Sequence, residues 1–146
     1  MNLFQSMAIS ASGLNAQRMA TNAISMNLAN IQTTWTEEGG PYIRRQAVLS
    51  PSPISSGFPK ILANVMDREP VGVKAEIQID ETRDPETIFD PSHPHADENG
   101  YVTLPNINVL EEMVALLGAV RSYEANVTAF NAAKSMAMKA LEIGSK

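Results

Sequence analysis

From Val109 to Leu141 the chain repeats at alternating intervals of four and three: Val109, Met113, Leu116, Val120, Tyr123, Val127, Phe130, Lys134, Ala137 and Leu141. Only Lys134 interrupts the apolar run. A seam of that period, held over such a length, is what a long helix needs to lie along a partner helix. Asn108 followed three residues later by Glu111 resembles a capping box, and Glu112 adds a second negative charge to the first turn. Lys134 and Lys139 lie toward the negative end of the dipole, and Gly144 is a stop signal. Such a helix is roughly 50 Å long. A compact globule of 146 residues would have a radius of gyration of only about 15 Å. The remaining chain therefore lies alongside this helix rather than around it.

The first segment, from Met1 to about Thr34, supplies the partner. Leu3, Met7, Leu14, Ile24, Leu28 and Ile31 suit one helical face, with Ser10, Gln17 and Thr21 on the remaining rungs. This helix would be roughly 45 Å long. Gly13 costs ~1 kcal/mol there relative to alanine, and either admits a close backbone approach or is simply tolerated. Arg18 is the one charged residue of the segment. A solvent-facing helix normally carries charge on its outer face, so this one suits burial on more than one side.

Between the helices, from about Thr34 to Asn106, lie all nine prolines. Residues 37–41 read as a turn, Tyr42 to Leu49 as a strand, and Ser50 to Lys60 as a loop. Val71, Val73, Ala75, Ile77 and Ile79 alternate with Gly72, Lys74, Glu76 and Gln78, the pattern of a half-buried strand. Asp84-Pro85 and Asp90-Pro91 bracket a short run from Glu86 to Phe89. The fold class expected is mainly α with a small β insert. Long terminal helices pair as a coiled coil, and a proline-rich antiparallel β and loop element stands between them. The divisions are 1–34, 35–105 and 106–146.

Most chemistries find no support. The formal net charge is −5 without a basic block, which argues against a nucleic-acid groove or polybasic membrane patch. The absence of cysteine removes disulfides, thiolate metal sites and thiol nucleophiles. No apolar run approaches the ~18 residues of a membrane span. The start lacks the pattern of a cleaved secretory signal, and a soluble chain without membrane insertion is expected. Asp90, His93, His95, Asp97 and Glu98 are the one group of ligand-type residues, and read as a rigid proline-bracketed loop in water rather than a metal site. Arg44-Arg45 beside Tyr42 reads as a solvated strand face, and Trp35 as a packing anchor. No nucleophile elbow or phosphate loop is present. No catalytic residue, cofactor or metal is expected.

Two motifs carry a family resemblance. Ser12-Gly13-Leu14-Asn15-Ala16, followed by Asn27-Leu28-Ala29-Asn30 and Thr33, resembles the N-terminal motif of bacterial flagellar axial proteins. Arg121-Ser122-Tyr123-Glu124-Ala125-Asn126 with Phe130-Asn131 looks like its C-terminal counterpart. The stretch from Phe89 to Asp97, leading into Gly100 to Met113, is similar to the proximal-rod members of that family. The departures are residues 35–40 and His95, where an acidic residue would be expected.

The resemblance implies a structural subunit of the basal-body rod, the drive shaft that crosses the periplasm, transmits torque and encloses an export channel. It implies partners among copies of the chain and neighbouring proximal- and distal-rod proteins. Export would proceed through the flagellar type III apparatus without a cleaved signal. The seam expected within the core is Leu14, Ile24, Leu28 and Ile31 against Met113, Leu116, Val120, Tyr123, Val127 and Phe130. Asn27, Asn30 and Asn126 would set helix register. The competing reading is a cytoplasmic coiled-coil adaptor or dimerisation protein, which accounts for the last helix but not for the charge-poor first one.

Overall fold

A computed structural model describes residues 3–54 and 71–144. Helix α1 spans Leu3–Ala29, strands β1 and β2 span Arg45–Pro53 and Val71–Ile79, β3 and β4 span Glu86–Phe89 and Tyr101–Leu104, and helix α2 spans Val109–Gly144. The molecule is mainly helical, with two small antiparallel ribbons, β1–β2 and β3–β4. Residues 55–60, the greater part of the expected Ser50–Lys60 loop, lie outside the described residues.

The helices run antiparallel. Asn27 near the end of α1 meets Glu112 near the start of α2, and Gly13 lies against Asn126. The same correspondence brings Leu3 level with about Met136, so the last two turns of α2 run on past the described part of α1. Asn108 caps α2 by accepting hydrogen bonds from the Leu110 and Glu111 amides at 2.9 and 3.3 Å. The reciprocal half of the expected capping box is replaced, because the Glu111 carboxylate instead pairs with Arg83 at 2.8 Å.

The line of α2 facing α1 is rotated by about one residue from the spacing seam. Glu112, Ala119 and Ala133 are buried, and Leu116, Asn126, Val127 and Phe130 are half-buried. Met113, Val120 and Tyr123, read from the spacing as seam residues, stay exposed. Close approach explains the rotation. Ala16 and Ala23 are the matching buried residues of α1, and a β-carbon on Gly13 would come within 2.9 to 3.1 Å of the Asn126 side chain. Small residues let the axes come together, and the bulkier apolar residues turn outward. Ile24 is buried, and Leu14, Leu28 and Ile31 are half-buried.

On its other side α1 carries the β1–β2 ribbon, which runs from Arg45 opposite Ile79 to Pro53 opposite Val71. Strand β1 therefore continues through Pro51 and Pro53, beyond the expected end at Leu49. These prolines face Val73 and Val71. The Val73 amide bonds outside the ladder, to Ser12 Oγ at 3.1 Å, so this pair needs no donor from Pro51. Asn27 holds the opposite edge of the ribbon, at Arg45. Gly72 is required at the Ser12 contact, since a β-carbon there would stand 2.7 Å from Ser12 Oγ. Of the apolar face of β2, only Ala75 is buried, while Val71, Val73, Ile77 and Ile79 remain exposed. The two buried positions of β2 are its smallest residues, Gly72 and Ala75, and its larger apolar side chains stay in water.

The second ribbon adds a strand, Tyr101–Leu104, that alternation alone does not mark. Its end is closed by a T-shaped Phe89–Tyr101 pair with centroids 5.3 Å apart, over Gly100 at φ 82°. The buried apolar side chains are few and mostly small, comprising Ala16, Ala23, Ile24, Ala75, Val102, Ile107, Ala119 and Ala133 among the described residues.

The Gly13–Asn126 contact makes a signed prediction. Gly13→Ala alone should leave stability nearly unchanged, because helix propensity gained is offset by crowding of Asn126. Combined with Asn126→Ala it should exceed the Asn126→Ala single variant by about 1 kcal/mol in urea unfolding. An equal gain with Asn126 intact would show that the contact does not limit helix approach.

Candidate functional site

The interior is organised around a polar knot where α1, the segment before β1, the end of β2 and the first turn of α2 converge. Asn27 is fully buried, and all four bonding positions of its amide are occupied. Nδ2 donates to the Arg45 carbonyl at 2.8 Å and to Glu112 Oε2 at 3.0 Å. Oδ1 accepts from the Arg45 amide at 2.9 Å and from the Tyr42 hydroxyl at 3.1 Å. Glu112 is 1% exposed, and its Oε1 accepts from Arg44 Nε at 2.8 Å and Nη2 at 2.7 Å. The remaining guanidinium edge reaches Asp80 Oδ2 at 3.0 Å, and Asp80 Oδ1 accepts from the Thr82 amide and hydroxyl.

This arrangement leaves nothing unsatisfied: among the described residues every buried side-chain nitrogen or oxygen has a partner. Burial works against the charge on Arg44, but hydrogen bonds and charge from Glu112 and Asp80 outweigh it and raise the guanidinium pKa. The two bonds from Thr82, and then Arg44, hold the Asp80 carboxyl below its usual range. Burial raises the Tyr42 hydroxyl, with Arg45 opposing and Glu112 adding to the rise. Arg44 thus belongs to the interior, not to the solvated strand face that its position beside Arg45 suggests.

The three asparagines have different places. Asn27 joins both helices and the ribbon. Asn126 packs over Gly13 across the helix pair. Asn30 closes the end of α1, its Nδ2 donating to the Met26 carbonyl at 2.8 Å and its Oδ1 accepting from Thr33 at 3.1 Å. The Thr33 carbonyl then receives the Tyr42 amide at 3.1 Å, which directs the chain back toward the knot. The turn between them uses Gly39 and Gly40 at φ 88° and 77°.

The histidine loop is occupied with itself. Asp90 Oδ1 accepts from the Ser92 amide and hydroxyl, and Asp97 Oδ1 from the amides of Asn99 and Tyr101. His93 Nδ1 accepts the His95 amide at 3.1 Å, and His95 Nδ1 bonds the Thr34 hydroxyl at 2.8 Å. Among the described residues no three His, Cys, Asp or Glu groups are brought together to hold a metal. Trp35 is largely exposed, with His95 its ring neighbour at 6.0 Å, so it anchors less than its size suggests. No described helix is long and apolar enough to cross a membrane.

What the described fold leaves open is a surface. Over the first three turns of α2, Val109, Leu110, Met113, Val114, Leu117 and Val120 are all exposed, on one continuous arc of the helix. The 4–3 spacing marks three of these six, Val109, Met113 and Val120, as seam. The knot is harder to see in advance, because Glu112, Arg44 and Asp80 are far apart in sequence. The available signal is that Glu112 sits on the 4–3 line displaced by one residue, where an acid needs a buried cation.

Two measurements test the knot. Glu112→Ala strands Arg44 and Asn27 without their acceptor and should cost about 3–5 kcal/mol in urea unfolding. Lys74→Ala, which breaks the exposed pair with Glu76, should leave the unfolding midpoint almost unchanged. Equal losses would show that the knot does not hold the elements together. Asp80, with its pKa lowered by folding, contributes stability that is fully present above its unfolded value of about 3.9 and is lost as pH falls through the folded value. The stability gap between the native chain and Asp80→Asn should therefore be constant above about pH 5 and shrink below about pH 4.

Residues 98–143 match the family model described as flagellar basal body rod FlgEFG protein C-terminal. The flagellar basal-body rod protein FlgC of Bacillus subtilis is 42% identical, covering 99% of each chain. That of Borreliella burgdorferi is 40% identical over 98% of each, and that of Salmonella typhimurium is 34% identical over 99% of this chain and 97% of its own. These relatives are rod proteins, and the matches run over the residues of both helices and of the segment between. The chain belongs to the FlgC family of flagellar basal-body rod proteins, structural subunits of the rod.

Proposed function

We propose that the chain is a subunit of the proximal rod, stacking helically with other rod proteins into a periplasm-spanning shaft that transmits torque and encloses the export channel. Its terminal segments, 1–34 and 106–146, serve as the coiled-coil core domain, and the middle segment braces neighbouring subunits. It reaches the rod through the flagellar type III export apparatus without removal of an N-terminal signal.

The observation that carries this reading is the imbalance between core and surface. The helix pair buries mainly alanines, while Leu110 and Leu117 of α2 are 71% and 60% exposed. A patch of this kind marks an interaction site. Contacts between different patches on successive subunits generate open helical assemblies where their rotation does not close into a ring. An adaptor completed by pairing along one seam would not need this second face.

Val114, on the exposed arc, offers a test. Val114→Asp should fold with stability within about 0.5 kcal/mol of the native chain, since the site faces water in the monomer. The same charge should exclude the protein from basal bodies and abolish swimming, because assembly would bury it unpaired. Mass spectrometry of purified hook–basal bodies checks incorporation. Normal swimming of the variant, or absence of the native chain from basal bodies, would overturn the reading.

A further inference from the structure

A groove of about 230 Å³ lies between the helices, lined by Arg18, Thr21 and Asn22 of α1 and by Val120 and Tyr123 of α2. Arg18 is the only charged residue in α1. It is exposed, and among the described residues it has no ion-pair partner. The other arginine–carboxylate contacts engage Arg44 and Arg83. Met113, Leu117 and Val120 continue the apolar surface from the groove along α2 and are all exposed. A helix that otherwise does without charge thus places its single guanidinium at the rim of an uncovered apolar groove.

We propose that this groove receives a helix of a neighbouring rod subunit, one that lays an apolar stripe along Met113, Leu117, Val120 and Tyr123 and presents a carboxylate to Arg18. This rests on the reading of the chain as an assembling rod subunit and adds the surface and the chemistry of its partner. The groove between two packed helices is the natural seat for a third. Covering it removes water from the Arg18 guanidinium, whose planar fork is matched by a carboxylate. A helix with a lysine at that position would bury like charges together. An uncharged one would leave Arg18 desolvated and unpaired, so the single cation selects among helices that are equally apolar. The pair also fixes the sliding register of the incoming helix, which an apolar stripe alone does not.

The test uses a photo-reactive benzophenone amino acid at Asn22, on the groove rim, in flagellated cells producing the full chain. Adducts are isolated from purified basal bodies and mapped to the peptide by mass spectrometry. The expected adduct is a helical segment of a rod subunit with Asp or Glu within one turn of the attachment point. In the chain without the probe, Arg18→Glu and Arg18→Gln should each lower incorporation into basal bodies by about tenfold, and Arg18→Lys, which keeps the charge but not the planar fork, should recover only part of it. Circular dichroism of the purified variants matching the native chain separates lost docking from lost folding. An adduct on a segment without a carboxylate, or incorporation of both Arg18→Glu and Arg18→Gln at the native level, would overturn the proposal. Absence of the unsubstituted chain from basal bodies would instead remove the rod reading on which it rests.

Discussion

The structure depends on one carboxamide. Asn27 places each of its four hydrogen bonds on a different group of three structural units, so neither helix nor the β1–β2 ribbon can move without breaking at least one. Glu112 extends that constraint to Arg44 and Asp80, and hence to both strands at one end of the ribbon. Apolar contacts alone would not do this. Alanine against alanine gains little and tolerates sliding by a turn, whereas a buried amide and carboxylate have one arrangement in which every lone pair and proton is met. The penalty for any other register is the desolvation of groups that then lack partners.

The rest of the architecture follows from that choice of a polar rather than an apolar anchor. With register fixed by hydrogen bonds, the helix interface can be made of small residues, and the helices approach closely at Gly13 and Asn126. Close approach turns the larger apolar side chains of α2 outward. The surface that results is what a subunit of a rod requires: a fold that is complete in its polar bonding and incomplete in its apolar burial. The few buried apolar side chains of the monomer and the exposed arc from Val109 to Val120 are two sides of one arrangement.

Much of this was legible from residue patterns. The long helices, the antiparallel β insert, the cap at Asn108 and the β2 strand from Val71 to Ile79 follow from periodicity and turn chemistry, because these are local properties. The face on which α2 packs is not local. The 4–3 ladder ranks positions by size and polarity, and with Gly13 and alanines opposite, the helices preferred the line through Ala119 and Ala133 over the line through Val120. Pro51 and Pro53 illustrate the same limit. Proline argues against a strand until it is known that its nitrogen faces the edge that needs no donor. Arg44 looked solvent-facing because its two acids are 36 and 68 residues away.

The attachment of the ribbon to α1 has a mechanical meaning. Ser12 takes hold of the ribbon at Val73 on β2, and Asn27 takes hold of it at Arg45 on β1. The two points stand about 22 Å apart along the helix and on opposite edges of the ribbon. One latch would make a hinge, about which the ribbon could swivel. Two latches set diagonally make a brace, and a twisting load applied to the ribbon passes into the helix pair instead of being dissipated at a pivot.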